Sequence, residues 1–230
     1  MKYKALPGFS YEKKVWRKGF RFVAGADEVG RGALAGPLVA GAVVFPSSRV
    51  MWEISRCELL GMTEVTINDS KKLSARQREK AAEWIKKNAV AWGIGEVSVT
   101  FINKHGIVKA TRKAFRKSLK MLNAKLQMLN GDKADYLLVD AFYVPYAKGL
   151  RRKNQLAIIK GDEKSISIAA ASIIAKVYRD QLMSKLARGP LAKYRWDENK
   201  GYGTSSHREA IREHGITRLH RKMFVRKATA

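Results

Sequence analysis

The chain is short of several things. Among its 230 residues there is one cysteine, Cys57, so no internal disulfide can form. No cluster of Cys and His at metal-finger spacing accompanies it, which excludes a structural zinc site. No run of about 18 apolar residues occurs, so no membrane span is expected. The opening MKYKALPGFSYEKK has no apolar stretch of the kind that directs secretion. Repeats, low-complexity tracts and Pro/Gly/Ser linkers are also missing. These absences lead to the expectation of one cytoplasmic globular unit with no membrane partner, acting as a monomer.

Acids are scarce as well: 20 Asp and Glu stand against 46 Lys and Arg, a formal charge of +26. Such a field draws in phosphate-rich partners by releasing their counterions, and nucleic acid is the first expectation. A surface supercharged only for solubility is the plainer alternative. From Val97 to Gly131 there is no acid at all, and Lys109, Arg112, Lys113, Arg116, Lys117 and Lys120 recur at helical spacing. Solvated helix faces usually mix signs; a stripe of one sign repels itself unless phosphates face it. Val108, Phe115, Leu119 and Leu122 form the apolar face of the same predicted helix, 101–123.

Periodicity gives an order of elements. Residues 20–27 and 37–45 read as a hairpin of buried strands, and 90–99 as a third strand. Ser74 with Gln77 forms a capping box that opens a helix. Strands follow at 136–141 and 156–159, then a long Ala-rich helix at about 165–187 and a basic tail with a short helix near His207–His214. The pattern is α/β, a mixed sheet of about five strands flanked by helices, with a C-terminal helical and loop extension. The expected division is an N-terminal extension at 1–19, a main body at 20–190 and a C-terminal segment at 191–230.

The few acids stand in unusual places. Asp27 and Glu28 end the first strand, and Asp140 ends YLLVD, where ligand sites of α/β sheets gather. Asp180 continues the stripe Ile166, Ala169, Ile173, Val177 and is expected to point back toward the strand ends. Taken singly, Asp140 could be a turn residue, Asp180 could pair with Lys176 or Arg179, and the adjacent pair could bind lysines. Taken together, buried carboxylates repel one another unless a cation intervenes, and oxygen-only ligands suit Mg²⁺ or Mn²⁺. Two such ions could serve both the attacking water and the leaving oxygen of a phosphodiester. Asp162 and Glu163 read instead as acids at the start of the Ala-rich helix, and Asp69 as a turn residue. Because adjacent strand residues face opposite ways, Asp27 and Glu28 require the strand to end or bulge, which Gly30 and Gly32 would permit.

The segments GADEVGRGALAGPLVAGAVV, NDSKKLS, LLVDA, KGDEKSISIAAASIIAKVYRD and NKGYGTSSH resemble, in order, those of bacterial-type ribonuclease HII over roughly residues 20–225. That resemblance implies a ribonuclease H-like fold. It also implies metal-dependent cleavage of RNA in RNA–DNA hybrids, and of single ribonucleotides embedded in duplex DNA, leaving 3′-hydroxyl and 5′-phosphate ends. By motif it assigns metal binding and catalysis to Asp27, Glu28, Asp140 and Asp180. Gly30, Arg31 and Gly32 fall where the ribose 2′-hydroxyl is read, Tyr202 where a ring stacks on the sugar, and Lys71 and Lys72 where phosphates are held. The family more often has VDG where this chain has VDA, so Ala141 should be tolerated unless the backbone there needs a positive φ. Residues 142–155 match no motif. A resolvase or integrase on the same fold, or a non-catalytic basic nucleic-acid-binding protein, are the rival readings.

Overall fold

The computed structural model describes residues 6–47 and 67–229; Cys57 lies outside them. Five strands form one sheet in the order β3-β2-β1-β4-β5: β1 Val23–Val29, β2 Leu38–Val44, β3 Ala91–Val97, β4 Tyr136–Asp140 and β5 Gln155–Ile158. β1, β2 and β3 pair antiparallel, whereas β1, β4 and β5 run parallel. The mixed α/β sheet matches the pattern read from periodicity.

Helices cover both faces. On one side lies α3 Val99–Asn130, after α1 Ser10–Trp16 and α2 Ala75–Asn88 in the chain. Its Ala114, Phe115, Leu119 and Leu122 pack on Ala24, Ala26, Leu137 and Val139. Val108, expected on that apolar face, is half exposed, and Ala110, one turn before Ala114, takes the inward position. On the other side α4 Ile166–Leu186 lies across β1 and β2, with α2 outside it. Its Ala169, Ala170 and Ala171 keep it slim. The sheet answers with Gly25, where an added Cβ would stand 2.2 Å from the Ser167 carbonyl carbon. The Ser74–Gln77 capping box is present at the start of α2.

The ends of the chain join this body. α1 buries Glu12 and Val15, with Phe9 buried just before it, and the Glu12 carboxylate accepts from the Ser165 hydroxyl at 2.6 Å and the Ser167 N–H at 3.0 Å. At the other end, α5 Ser205–His214 and α6 Lys222–Thr229 enclose Tyr194 and Trp196 with Leu34, Ala35 and Met183. The C-terminal segment therefore packs on the end of α4 and on the loop that follows β1.

β1 does not break at Glu28. Its pairing with β2 continues through Asp27–Gly41 and Glu28–Ala40 to Val29–Val39. Its pairing with β4 stops at Ala26, because β4 ends at Asp140 and turns away. Beyond that level the edge of β1 is free, and side chains on opposite faces border the same opening without any bulge. The turn is made by Ala141 at φ 63°, the left-handed region that the VDA motif was expected to tolerate poorly.

Two stability outcomes follow. Gly25→Ala forces α4 off the sheet and should destabilise the chain by about 1–3 kcal/mol in denaturant unfolding. Ala141→Gly relieves the left-handed alanine and should stabilise it by about 1 kcal/mol, seen as a higher unfolding midpoint.

Candidate functional site

A cleft of about 460 Å³ opens where β1 outruns β4, bordered by Asp27, Glu28, Asp140, Asp162, Lys71 and Tyr202. Strand alternation puts Asp27 on the α4 side, beside Ser172, and Glu28 on the α3 side, beside Arg31. Asp140 ends β4 and accepts from the Gly161 N–H at 2.7 Å. The Asp27 carboxylate accepts from the amide of Glu28 at 2.7 Å.

The crowding has an electrostatic consequence. Burial, then the neighbouring Glu28 and Asp140, hold the Asp27 carboxyl well above the usual carboxylate range. Burial pushes Glu28 up to about 7, against the pull of Arg31 at 3.4 Å. Asp162 is also raised, chiefly by burial, although Lys71 at 3.8 Å opposes the shift. Glu28 Oε2 is buried with no hydrogen-bond partner. Protons resist leaving these groups unless positive charge replaces them.

The fourth acid at the cleft is Asp162, not Asp180. Asp180 does share the stripe of Val177, as the spacing indicates, but that stripe faces α2 at this level. Its oxygens meet Lys176 Nζ at 2.8 Å and Arg78 Nη2 at 3.8 Å, and it borders a different depression with Glu79 and Gln181. Asp27 stands level with Ser172, and eight further residues carry α4 about 12 Å beyond the strand ends. Helical periodicity gives a side, whereas height along the axis is fixed only by where the helix begins. The helix begins at Ser165, whose hydroxyl caps the Ile168 N–H, so Asp162 in the preceding turn reaches the strand ends instead.

The loop after β1 is shaped by two guanidinium groups that the sequence did not single out. Arg221 is fully buried and donates to the carbonyl oxygens of Gly30, Arg31, Gly36 and Pro37 at distances of 2.6–3.1 Å. Arg179, equally buried, donates to Ala35, Pro37 and Lys200. Gly30 has φ 86°, and a Cβ there would lie 2.1 Å from Arg179 Nε. Around Gly32, by contrast, there is open space. Burial, with Arg179 nearby, pushes the Arg221 guanidinium down to about 9, so it remains charged at neutral pH.

Tyr202 is seated by a chain of buried imidazoles. The Tyr202 carbonyl can only accept, so His207 Nδ1 donates to it at 2.9 Å. His207 Nε2 then accepts from Trp196 Nε1 at 3.0 Å and from His220 Nε2 at 3.3 Å. His220 Nδ1 in turn accepts from the Thr217 N–H at 2.9 Å. Burial lowers both histidines, His220 to about 4 with His207 adding to the effect, which keeps both neutral. The Arg179 guanidinium lies 5.3 Å from the Tyr202 ring centre and Lys176 Nζ 5.6 Å. Both histidines are fully buried, so neither faces phosphate or reactant. Only the histidine in the GYGTSSH motif hinted at this network; Arg179 and Arg221 were indistinguishable from the many surface cations.

Of the lysines, Lys71 borders the cleft with a largely exposed side chain. Lys72 is drawn to Glu163 at 3.4 Å and Asp69 at 3.9 Å. Arg31 lies 4.9 Å over the Phe142 ring.

The family model described as Ribonuclease HII matches residues 24–227. Ribonuclease HII of Bacillus subtilis (strain 168) is 46% identical over 216 residues, covering 94% of this chain and 74% of that protein. That of Syntrophus aciditrophicus (strain SB) is 40% identical over 219 residues, covering 95% and 91%. Among solved structures, ribonuclease H2 from Pyrococcus horikoshii OT3 superposes with a TM-score of 0.64 at 25% identity, covering 90% of this chain and 97% of that one. RNase HII of Archaeoglobus fulgidus, solved in complex with PCNA, gives 0.61 at 27% identity, covering 87% and 93%. With its carboxylate-lined sheet edge and these relatives over nearly its whole length, the chain belongs to the ribonuclease HII family and is a nuclease with ribonuclease H activity.

Proposed function

We propose that the chain hydrolyses the phosphodiester on the 5′ side of a ribonucleotide, in RNA–DNA hybrids and at single ribonucleotides embedded in duplex DNA. The products are 3′-hydroxyl and 5′-phosphate ends. The observation that carries this reading is the junction of two devices at one opening. Asp27, Glu28, Asp140 and Asp162 border the cleft, and Gly30, Arg31 and Tyr202 border the same space, with Gly32 just outside it.

The residues present fit a divalent cation. Every candidate ligand is a carboxylate oxygen, the choice of Mg²⁺ or Mn²⁺, and the partnerless Glu28 Oε2 lacks only a positive partner. Among the described residues no three His, Cys, Asp or Glu side chains converge as a finished ligand set. A hard divalent cation completes its shell with waters and substrate phosphate. Asp27, Glu28, Asp140 and Asp162 would hold the cation, which supplies charge against the phosphoryl oxygens and acidifies water.

The chain's own groups do the rest. The Gly161 N–H orients Asp140, while Arg31 restrains Glu28 from the other face. Arg221 and Arg179 pull the loop carbonyls inward, which leaves the loop's opposite side to approach a minor-groove sugar and read its 2′-hydroxyl. Tyr202, held through its carbonyl, offers its ring to the sugar rather than to a base edge. Lys71 meets a backbone phosphate, and Lys72 joins it only by leaving its acids.

On a duplex with one ribonucleotide, Asp162→Asn should lower kcat by at least about 100-fold, as expected for a group facing the developing charge. Asp180→Asn should leave kcat within about tenfold, through loss of an ion pair alone. The reverse order of effects, read by single-turnover cleavage, refutes the assignment. An unmutated chain that leaves this duplex intact refutes the single-ribonucleotide reading.

The raised carboxyls also link pH to stability. A carboxyl with a raised folded-state value binds more protons folded than unfolded, so stability falls as pH climbs from the ordinary carboxylate range through about 7. Mg²⁺ should therefore raise the melting temperature more at pH 8 than at pH 5.5 in thermal unfolding. Equal shifts at the two pH values would sink the proposed ligand set.

A further inference from the structure

Residues 142–155, which match no motif, form an anchored platform beside the cleft. The buried Gln155 side chain pins the segment: its Oε1 accepts from the Val144 N–H at 2.9 Å, and its Nε2 donates to the carbonyls of Val144 at 3.0 Å and Leu150 at 2.8 Å. Arg116 of α3 donates to the Pro145 carbonyl at 3.2 Å, and Val144, Ala147 and Leu150 sink into the core. What remains outside is cationic and aromatic. Tyr146 is 92% exposed and is held at φ 59°, a backbone conformation that a tyrosine adopts only when its surroundings impose it.

A cavity of about 650 Å³ lies under this segment, bordered by Tyr143, Tyr146, Arg151 and Arg152, and by Arg112 from α3. No acid borders it, and no residue from Ala141 to Gln155 is acidic. The three arginines are exposed and make no ion pair among the described residues; Arg152 lies 4.0 Å over the Tyr143 ring. Here the basic stripe of α3 divides. Lys113 lies over Phe101 and Lys117 donates to the Glu96 carbonyl, but Arg112 turns to the cavity.

We infer that this cavity is a second substrate subsite, which takes backbone phosphates of the duplex on one side of the cut, with Arg112, Arg151 and Arg152 as donors and Tyr146 against the adjoining sugar. Unpaired arginines in a preformed, acid-free pocket match phosphate, which a guanidinium can grip in bidentate fashion. Reach bounds where the subsite begins. Tyr143, which borders the cavity, is three residues past Asp140, at most about 11 Å of chain. Successive nucleotides advance by about 3.4 Å, so the first phosphates to reach the cavity lie within about three steps of the scissile bond. The subsite rests on the nuclease activity and on the placement of Asp140 at the reacting phosphate.

The test compares the full-length enzyme, with Mg²⁺, against R112A/R151A/R152A and against a control with the same charge change, K13A/K18A/K87A, on the opposite face. Cleavage of a plain RNA–DNA hybrid is followed as the salt concentration rises. The slope of log kcat/KM against log salt should flatten by roughly 0.9 for each arginine that meets a phosphate, and much less in the control. Equal flattening in both triples means that only the overall field acts, which overturns the subsite. Arg-to-Lys versions of the three positions should restore the slope, separating lost charge from misfolding. In a second arm, single phosphates of a one-ribonucleotide duplex are replaced by neutral methylphosphonates. The penalty should peak within about three steps on one side of the cut and vanish in the arginine triple. A penalty identical in both enzymes at every position overturns the proposal, as does one that shows no position dependence. If the unmutated chain leaves that duplex intact, the single-ribonucleotide reading has failed, and the hybrid salt slopes still decide the subsite.

Discussion

Two guanidinium groups buried without any carboxylate hold the functional edge of this molecule together. A buried charge is costly unless its donors are satisfied. Arg221 satisfies all of its N–H groups on carbonyls of Gly30, Arg31, Gly36 and Pro37, and Arg179 adds Ala35, Pro37 and Lys200. These bonds tie together the loop after β1, the end of α4 and the C-terminal segment. The guanidinium fork is suited to this role because its planar donors fix directions, which a lysine ammonium would not. Gly30 is required for the same reason: a side chain there would occupy the space of Arg179. The loop that borders the cleft thus owes its form to residues 142–144 and 184–191 positions away in the chain, a separation that no local propensity encodes.

The same edge concentrates charge of the opposite sign. A chain of +26 places Asp27, Glu28, Asp140 and Asp162 at one opening, and burial raises the carboxyls of Asp27, Glu28 and Asp162 above the usual carboxylate range. The basic exterior does not neutralise this cluster. Arg31 reaches Glu28 only at 3.4 Å and is itself half engaged over Phe142, while Lys71 reaches Asp162 at 3.8 Å. Such loose pairing leaves the carboxylates available. A tightly bonded pair would be as stable but would exclude a cation, and Asp180 with Lys176 at 2.8 Å illustrates that outcome on the same helix.

Legibility in the sequence followed what each signal measures. Strand and helix periods recovered the five strands, the capped helix after Ser74 and the mixed sheet, because each is a local pattern of burial. Asp27, Glu28 and Asp140, singled out because acids at apolar strand ends contradict that pattern, border the cleft. Asp162, which as an acid before a helix reads as a capping acid, borders it too, because only the height of α4 against the sheet decides its place. The bulge expected at Glu28 was unnecessary, since the shortness of β4 frees the edge of β1, and relative strand lengths are a tertiary fact. The VDA motif, by contrast, posed a sharp local question, and the φ of 63° at Ala141 answers it.

The histidines show why residue type alone misleads at such a site. His207 and His220 stand in a basic tail next to a cleft, the setting in which a general base or a phosphate contact is sought. Their bonding excludes both. Each nitrogen is committed, from the Thr217 N–H through His220 and His207 to the Tyr202 carbonyl, and proton uptake at His220 Nδ1 or His207 Nε2 would place two donors face to face. Burial enforces the neutral state that this order requires. The imidazoles therefore form an oriented hydrogen-bond relay that sets the backbone of Tyr202. Under the proposed function, chemistry at the edge falls to the carboxylates, and discrimination to groups whose own chemistry has been silenced.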